Sequence, residues 1–298
     1  MLKLVKTLNK LYLSYIVFFL MAYSCSNNSS REANTVERLY IHENLNIPYI
    51  EDTDRNKYIL DTGAEASLLF DTTLFEEGFF SNIGLNRVKI NGQKKPNPTG
   101  INKKITFKTF ALEGERFIYV SNYGLLSSDS TIKGLIGMDI LSKSNSYWNI
   151  PKGEFIINYD SATIEEPQLT LKYKKSNLPI TNIEINTIPV ENILLDTGHS
   201  LAVILPQNYM SKYGLESIDL LEGETINFYS TQTNSVYYIT DTLKINNYVL
   251  QYKQPISFAF SDFNRGTAIL GFPFFTYWDY FAIDVSTKKI HFYKAQGI

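Results

Sequence analysis

The sequence predicts an all-β, two-lobed molecule, and three observations carry that prediction. The tripeptide Asp-Thr-Gly occurs twice, at Asp61-Thr62-Gly63 and at Asp196-Thr197-Gly198. Each copy follows an apolar run of strand character, Tyr58-Ile59-Leu60 or Ile193-Leu194-Leu195, and precedes another, Leu68-Leu69-Phe70 or Ala202-Val203-Ile204-Leu205. The likeness continues well past the tripeptides, as an internal repeat requires. Between these markers the chain is built from short alternating runs and turn residues, with helical pattern confined to short stretches after each tripeptide and near Met138 to Ser142.

The repeat can be followed element by element. A second marker, an apolar pair followed by Gly, comes 137 − 61 = 76 positions after the first Asp as Leu135-Ile136-Gly137, and 271 − 196 = 75 after the second as Ile269-Leu270-Gly271. Farther on, Asn149-Ile150-Pro151-Lys152-Gly153-Glu154-Phe155 lines up with Asp284-Val285-Ser286-Thr287-Lys288-Lys289-Ile290 at 284 − 149 = 135 positions, the spacing that separates Asp61 from Asp196. Upstream, Ile47-Pro48-Tyr49 corresponds to Ile188-Pro189-Val190.

Taken in order, the chain opens with a targeting segment, residues 1–24. Lys3, Lys6 and Lys10 precede an apolar run from Leu11 to Ala22 that is short for a bilayer span, the pattern of a signal peptide. Ala22-Tyr23-Ser24-Cys25 resembles a bacterial lipobox, which implies acylation of Cys25; the alternatives are a chance Cys after an ordinary signal peptide and an uncleaved anchor. Residues 25–36, rich in Ser and Asn, then form a flexible tether. The expectation is a protein of the cell envelope, lipid-anchored to a membrane surface outside the cytoplasm.

The first lobe is assigned to 37–163 and the second to 164–298, with a Pro-bearing seam from Asp160 to Pro167 between them. In the first, Leu39-Tyr40-Ile41, Val88-Lys89-Ile90, Ile105-Thr106-Phe107-Lys108-Thr109-Phe110 and Phe117-Ile118-Tyr119-Val120 read as strands. In the second, Thr225 to Tyr229, Ser235 to Ile239 and Ile256 to Phe260 do the same. Asn91 to Asn102, with Asn91-Gly92 and Pro96-Asn97-Pro98-Thr99-Gly100, and Tyr229 to Asn234 read as turn-rich hairpin tips, either lids or surface connections.

Composition excludes several classes. Across 298 residues, 28 Lys and Arg stand against 30 Asp and Glu for a net charge of −2, so the chain has no electrostatic footprint for nucleic acid. The three histidines, His42, His199 and His291, are scattered, and with a single cysteine there is no zinc-type spacing; neither metal nor cofactor is expected.

A strand running into Asp-Thr-Gly, followed some 75 residues later by an apolar-apolar-Gly strand and, in the first copy, by Met138-Asp139-Ile140-Leu141, resembles the retropepsin-like aspartic proteases. That resemblance, which covers nearly everything from about residue 37 onward, implies an acid-protease-like fold made of two β-barrel repeats in one chain. It also implies an aspartic endopeptidase acting on a peptide or protein substrate, with Asp61 and Asp196 as its catalytic pair. The chemistry fits: hydrolysis without a metal or covalent nucleophile needs a water deprotonated as it attacks and a carbonyl oxygen protonated in step, and two adjacent carboxyls sharing one proton do both. Gly63 and Gly198 let the loops approach closely. Thr62 and Thr197 can hydrogen-bond across the lobe interface, the alternative being that they are ordinary β-branched loop residues.

Three positions depart from the family pattern. His199 stands where Ala or Ser is usual, and either hydrogen-bonds Asp196 or points to solvent, the second being preferred. Glu65 is a substrate-binding candidate, but the Arg that would pair with it is replaced by Met138. The second marker, Gly271-Phe272-Pro273, lacks the Asp of the first. Rival readings are a serine-hydrolase elbow at Gly198-His199-Ser200-Leu201-Ala202, which lacks the final Gly, and a catalytically silent peptide-binding module of the same fold. The duplication makes a monomer sufficient, since one chain supplies both acids.

Overall fold

The computed structural model describes residues 36–77, 81–90, 93–121, 124–159, 166–173, 179–180, 183–191, 193–214, 221–226, 232–261 and 267–294. The targeting segment, Cys25 and the tether to Thr35 lie outside the described residues, as do Asn91-Gly92, Tyr229 to Thr231 and the seam from Asp160 to Glu165.

Each lobe is organised around the same four-strand motif. In the first, Lys57–Leu60 runs parallel to Ile132–Ile136, which pairs antiparallel with Leu68–Leu69, which in turn runs parallel to Arg116–Tyr119. In the second, Ile193–Asp196, Ala268–Gly271, Val203–Leu205 and Tyr248–Ser261 repeat that order and those directions. The chain therefore leaves the Asp-bearing strand, skips a place in the sheet, and is later joined by a strand that fills the gap. These inner strands are covered on both faces, which is why they read as continuous apolar runs. Tyr58 and Leu60 enter the large core while Ile59 enters a separate cluster with Leu68, Ile118 and Leu135. Likewise Ile193 and Leu195 face the large core, as do Ala268 and Leu270, whereas Ile269 faces a small cluster with Ile204 and Ala259.

The lobes share a six-stranded sheet ordered Glu37–Arg38, Glu154–Ile157, Ser146–Asn149, Tyr280–Asp284, Lys289–Tyr293, Leu169–Lys172. At its centre Ser146 pairs with Ile283, Tyr147 with Ala282 and Trp148 with Phe281. Adding the repeat spacing of 135 turns the first of these pairs into the third and leaves the middle one unchanged, so the pseudo-two-fold axis passes through Tyr147 and Ala282. Trp148, Phe155, Phe281 and Phe292 are fully buried on one face of this sheet, in the same core as Leu60 and Leu195. Aromatic burial beneath the Asp-bearing strands thus joins the two lobes. The ring planes of Trp148 and Phe281 stack across the axis at 5.1 Å.

Two elements differ from the sequence reading. The alternating run Ile105 to Phe110 is not one strand: Ile105–Thr106 pairs with Ala111–Leu112, and Phe107 N–H donates to Phe110 C=O across the turn at 2.9 Å. Stacking of Phe107 on Phe110 at 4.5 Å and a hydrogen bond from the Thr109 amide to the buried Glu37 carboxylate favour the turn over extension. The Pro-rich stretch is not a loop either. Gln93–Ile101 is a strand paired with Ser81–Ile90, and Pro96 and Pro98 are tolerated because only Thr99 to Ile101 pair with Arg116–Tyr119 on the other side. In the second lobe Leu221–Ile226 and Gln232–Ile245 make the corresponding hairpin.

Candidate active site

Both acids sit where an inner strand ends. Asp61 follows Lys57–Leu60, and its N–H donates to Ile136 C=O at 3.0 Å, the last rung of the parallel pairing. Asp196 closes Ile193–Asp196 in register with Gly271. Beyond each Asp the chain turns through Thr-Gly, so the carboxyls leave the sheet together at the lobe interface.

What holds them there is a reciprocal lock. The Thr62 hydroxyl donates to Leu195 C=O at 2.8 Å and accepts from Thr197 N–H at 3.0 Å. The Thr197 hydroxyl donates to Leu60 C=O at 2.7 Å and accepts from Thr62 N–H at 3.0 Å. Every donor and acceptor has its counterpart 135 positions away, and both threonines are 0% exposed. Four hydrogen bonds in a dry interface tie each loop to the strand that delivers the other acid, so neither carboxyl can move independently.

The glycines supply clearance. A Cβ on Gly63 would lie 2.4 Å from the Asp196 carboxyl carbon, and one on Gly198 would lie 2.5 Å from that of Asp61. Each glycine therefore marks where the opposite carboxyl passes, and the two acids are hydrogen-bonded to each other. Asp61 Oδ1 also accepts from the amides of Gly63 at 2.8 Å and Ala64 at 2.9 Å, whereas Asp196 Oδ1 accepts from Gly198 at 2.9 Å. Burial raises both carboxyls above the ordinary carboxylate range. Asp61 is held the lower of the two by its bond with Asp196 and by its amide donors, while Asp196 is raised well above by burial and then by the negative charge of Asp61. The pair thus holds one proton between its two carboxyls over a wide range.

The loops are braced differently from below. In the first lobe Met138 N–H donates to Ala64 C=O at 2.8 Å, Gly137 N–H donates to Ser67 Oγ at 2.9 Å, and Ser67 Oγ donates to Asp139 Oδ1 at 2.6 Å. In the second, Phe272 N–H donates to His199 C=O at 2.7 Å, but Gly271 N–H turns to the Ala202 carbonyl at 3.0 Å. Ala202 and Pro273 stand where Ser67 and Asp139 stand in the first lobe.

With this geometry established, likeness to known proteins can be stated. No protein-family model matches the chain, and no curated protein matches it. Among solved structures it is similar to basic 7S globulin from soybean, with 10% identity over 88% of this chain and 96% of that one at a TM-score of 0.51. It is also similar to edgp, with 9% identity over 87% and 94% at a TM-score of 0.50. A retropepsin-like aspartic protease from Rickettsia conorii matches 42% of the chain at 15% identity and a TM-score of 0.33. The fold is the all-β, two-lobed acid-protease-like fold. At these identities the likeness concerns fold alone.

The remaining sequence-derived candidates are placed as follows. His199 does not point free into solvent, as preferred above: it is half-buried, and its Nδ1 accepts from Leu201 N–H at 3.1 Å, which leaves the proton on Nε2. Burial lowers its pKa from the ordinary 6.5 to about 4, so it is neutral at neutral and mildly acidic pH. Glu65 is exposed on the first loop, and Met138, at the position where a pairing Arg was sought, is fully buried in the core. Ser200 is exposed in the turn after His199. Among the described residues no group of three or more His, Cys, Asp or Glu side chains could hold a metal ion, and no helix is long and apolar enough to cross a membrane. Ser67 was not singled out by sequence; its signal was a hydroxyl facing the marker Asp in the one copy that has both.

Proposed function

We propose that the chain is an aspartic endopeptidase that hydrolyses peptide bonds with a water activated by Asp61 and Asp196. The observation that carries this reading is the pair of carboxyls in mutual hydrogen bond, Asp61 buried and Asp196 half-buried, held by the Thr62–Thr197 lock. In the reaction, ionised Asp61 takes a proton from the water as its oxygen attacks the scissile carbonyl carbon, and Asp196 gives its proton to the carbonyl oxygen, producing a neutral gem-diol. Asp61 then passes its new proton to the amide nitrogen while the C–N bond breaks. The gem-diol returns a proton to Asp196 as the carboxyl product forms, and the dyad regains its starting state.

The same reading makes Thr62, Gly63, Thr197 and Gly198 supports of the catalytic loops and Glu65 a substrate contact at the rim. It also places a lipid on Cys25, so that the protease acts as a monomer tethered to an envelope membrane outside the cytoplasm. Support for the tether is the sequence pattern alone. The test of activity is cutting of an unfolded protein from acidic to neutral pH by wild type, Asp61→Asn and Asp196→Asn. Loss of cutting in both variants, with blockade of wild type by a statine-type transition-state mimic, is the expected result. Undiminished cutting by either variant removes that Asp from the mechanism, and binding of peptide without cutting by wild type turns the assignment to a peptide-binding module. Metabolic labelling with a fatty acid, lost in Cys25→Ser, tests the anchor.

A further inference from the structure

The first catalytic loop is gripped twice by one short segment, Gly137 to Asp139. Met138 N–H takes hold of the Ala64 carbonyl at 2.8 Å, and three residues later the Ser67 hydroxyl is held between the Gly137 amide at 2.9 Å and the Asp139 carboxylate at 2.6 Å. Ser67 is 0% exposed, and Ala64, whose carbonyl forms the first grip, directs its own N–H to Asp61 Oδ1 at 2.9 Å. The second loop lacks both polar members, having Ala202 and Pro273, and there the residue after Gly, His199, directs its N–H to the Asp196 main-chain oxygen at 3.2 Å. Both lobes aim the Gly amide at the carboxylate, Gly63 at 2.8 Å and Gly198 at 2.9 Å; the second amide, that of Ala64, is found only in the lobe with the Ser–Asp brace, where it also lies 3.4 Å from the Asp61 main-chain oxygen.

We infer that Ser67 and Asp139 are positioning residues for the dyad: by fixing the loop at Ser67 they keep the Ala64 amide on Asp61, and so favour the ionised form of Asp61. This rests on the proposed dyad, deepening it by assigning the origin of its asymmetry. The ordering is physical. An amide donated to a carboxylate favours its charged form, and a donor held in place by a rigid loop does so without the entropy of finding it. The titratable groups on the elements packed around Asp61 are Asp196 and His199 on the second loop, Glu65 on its own loop, and Asp139 on the bracing segment. Of these His199 is neutral above about pH 4. The geometric difference between the two acids is amide donation, two amides on Asp61 Oδ1 against one on Asp196 Oδ1.

The experiment reads carboxyl titration directly and needs no substrate. Full-length protein labelled with carbon-13 at Asp carboxyls is titrated by NMR as wild type, Ser67→Ala, Asp139→Ala and Asp139→Asn. Expected is a lower dyad step raised by about one pH unit in the two alanine variants, the scale of one charge-assisted hydrogen bond. Asp139→Asn, whose Oδ1 still accepts from Ser67, keeps the wild-type step. If cutting is observed, the acid limb of kcat/KM moves by the same amount. A structural role alone lowers the unfolding temperature of the alanine variants and leaves their titration unchanged, and that result overturns the inference. Wild type supplies a check that depends on no variant: the Ala64 amide proton shift must follow the lower dyad step, and an Ala64 amide indifferent to it also overturns the inference. A titration shift in protein that never cuts peptide keeps the positioning role and defeats the protease assignment, so the two failures are distinct.

Discussion

The two Asp-Thr-Gly loops agree in the hydrogen bonds that cross the pseudo-two-fold axis and differ in what lies beneath them. Across the axis Thr62 and Thr197 exchange identical hydrogen bonds, and Gly63 and Gly198 clear the opposite carboxyl by nearly the same margin. Below, the first loop rests on a Ser67–Asp139 hydrogen bond and the second on a main-chain carbonyl over the buried Phe272, Phe274 and Phe275. The difference teaches where duplication leaves freedom. A residue that meets its own counterpart must keep its partner's geometry, whereas a residue that meets only its own lobe can drift as long as the loop stays supported. Absence of both Ser and Asp from the second lobe fits this, because a hydroxyl buried there would lack the carboxylate that accepts from Ser67 in the first.

The largest expected effect breaks the shared part. Gly63→Ala and Gly198→Ala each drive a methyl group into the other lobe's carboxyl, at 2.4 and 2.5 Å, and that short side chain can yield only by leaving its loop amides. Both should lower peptide cutting by about 10³-fold or more, since misplaced carboxyls forfeit acid–base catalysis. Equal losses confirm the symmetry; a tolerated alanine on one side would show that the carboxyls do not meet as described.

Next come the threonines. Thr62→Ala leaves the Leu195 carbonyl and the Thr197 amide without their partner inside a dry interface, and Thr197→Ala does the same to Leu60 and Thr62. Each should cost about 2–4 kcal/mol in chemical unfolding. The double variant should cost less than the sum, because the four bonds form one network. Thr→Ser at either position should restore most of the loss, since only the hydroxyl is required.

Beneath the loops the comparison sharpens. Ser67→Ala frees the Asp139 carboxylate and the Gly137 amide and should destabilise by about 1–3 kcal/mol. Ala202→Ser in the second lobe buries a hydroxyl that has no acid to meet at Pro273 and should destabilise by about 1–3 kcal/mol, even though it restores the residue of the other copy. A large gain from that substitution would mean that the second loop, too, is limited by the missing brace.

These regions also show what a sequence makes legible. The repeat, the two acids, their glycines and the all-β class are visible because each is enforced by an element that must appear twice; contact between Asp61 and Asp196 is implied by the family resemblance of the two motifs, since symmetry alone does not bring equivalent residues together. Ile105 to Phe110 was not legible, since alternation is equally served by one strand and by a tight hairpin, and the choice is made by a Glu37 carboxylate far off in the chain. Pro96 and Pro98 misled in the opposite sense: proline forbids a central strand, but a two-stranded arm of a hairpin has a side with nothing to pair. The Ser67 brace was half visible, with Asp139 evident in the marker and its partner concealed in an unremarkable apolar run.

The smallest effect concerns His199, where the second copy has an imidazole and the first has Ala64. Its folded pKa, about 4, lies below the ordinary 6.5 because burial disfavours the charged ring. A base whose folded pKa is depressed adds stability that is complete above about pH 6.5 and is lost as pH falls toward 4, because the unfolded chain binds the proton that the folded one refuses. The dyad acts in the opposite direction: its carboxyls have raised folded pKa values, so its contribution grows as pH falls and the carboxyls protonate. Comparing wild type with His199→Gln cancels the dyad and leaves the imidazole. Wild type should lose about 1–2 kcal/mol relative to His199→Gln between pH 7 and pH 4, after allowance for the half of the ring that water reaches. A flat difference across that window would mean that the ring accepts its proton in place.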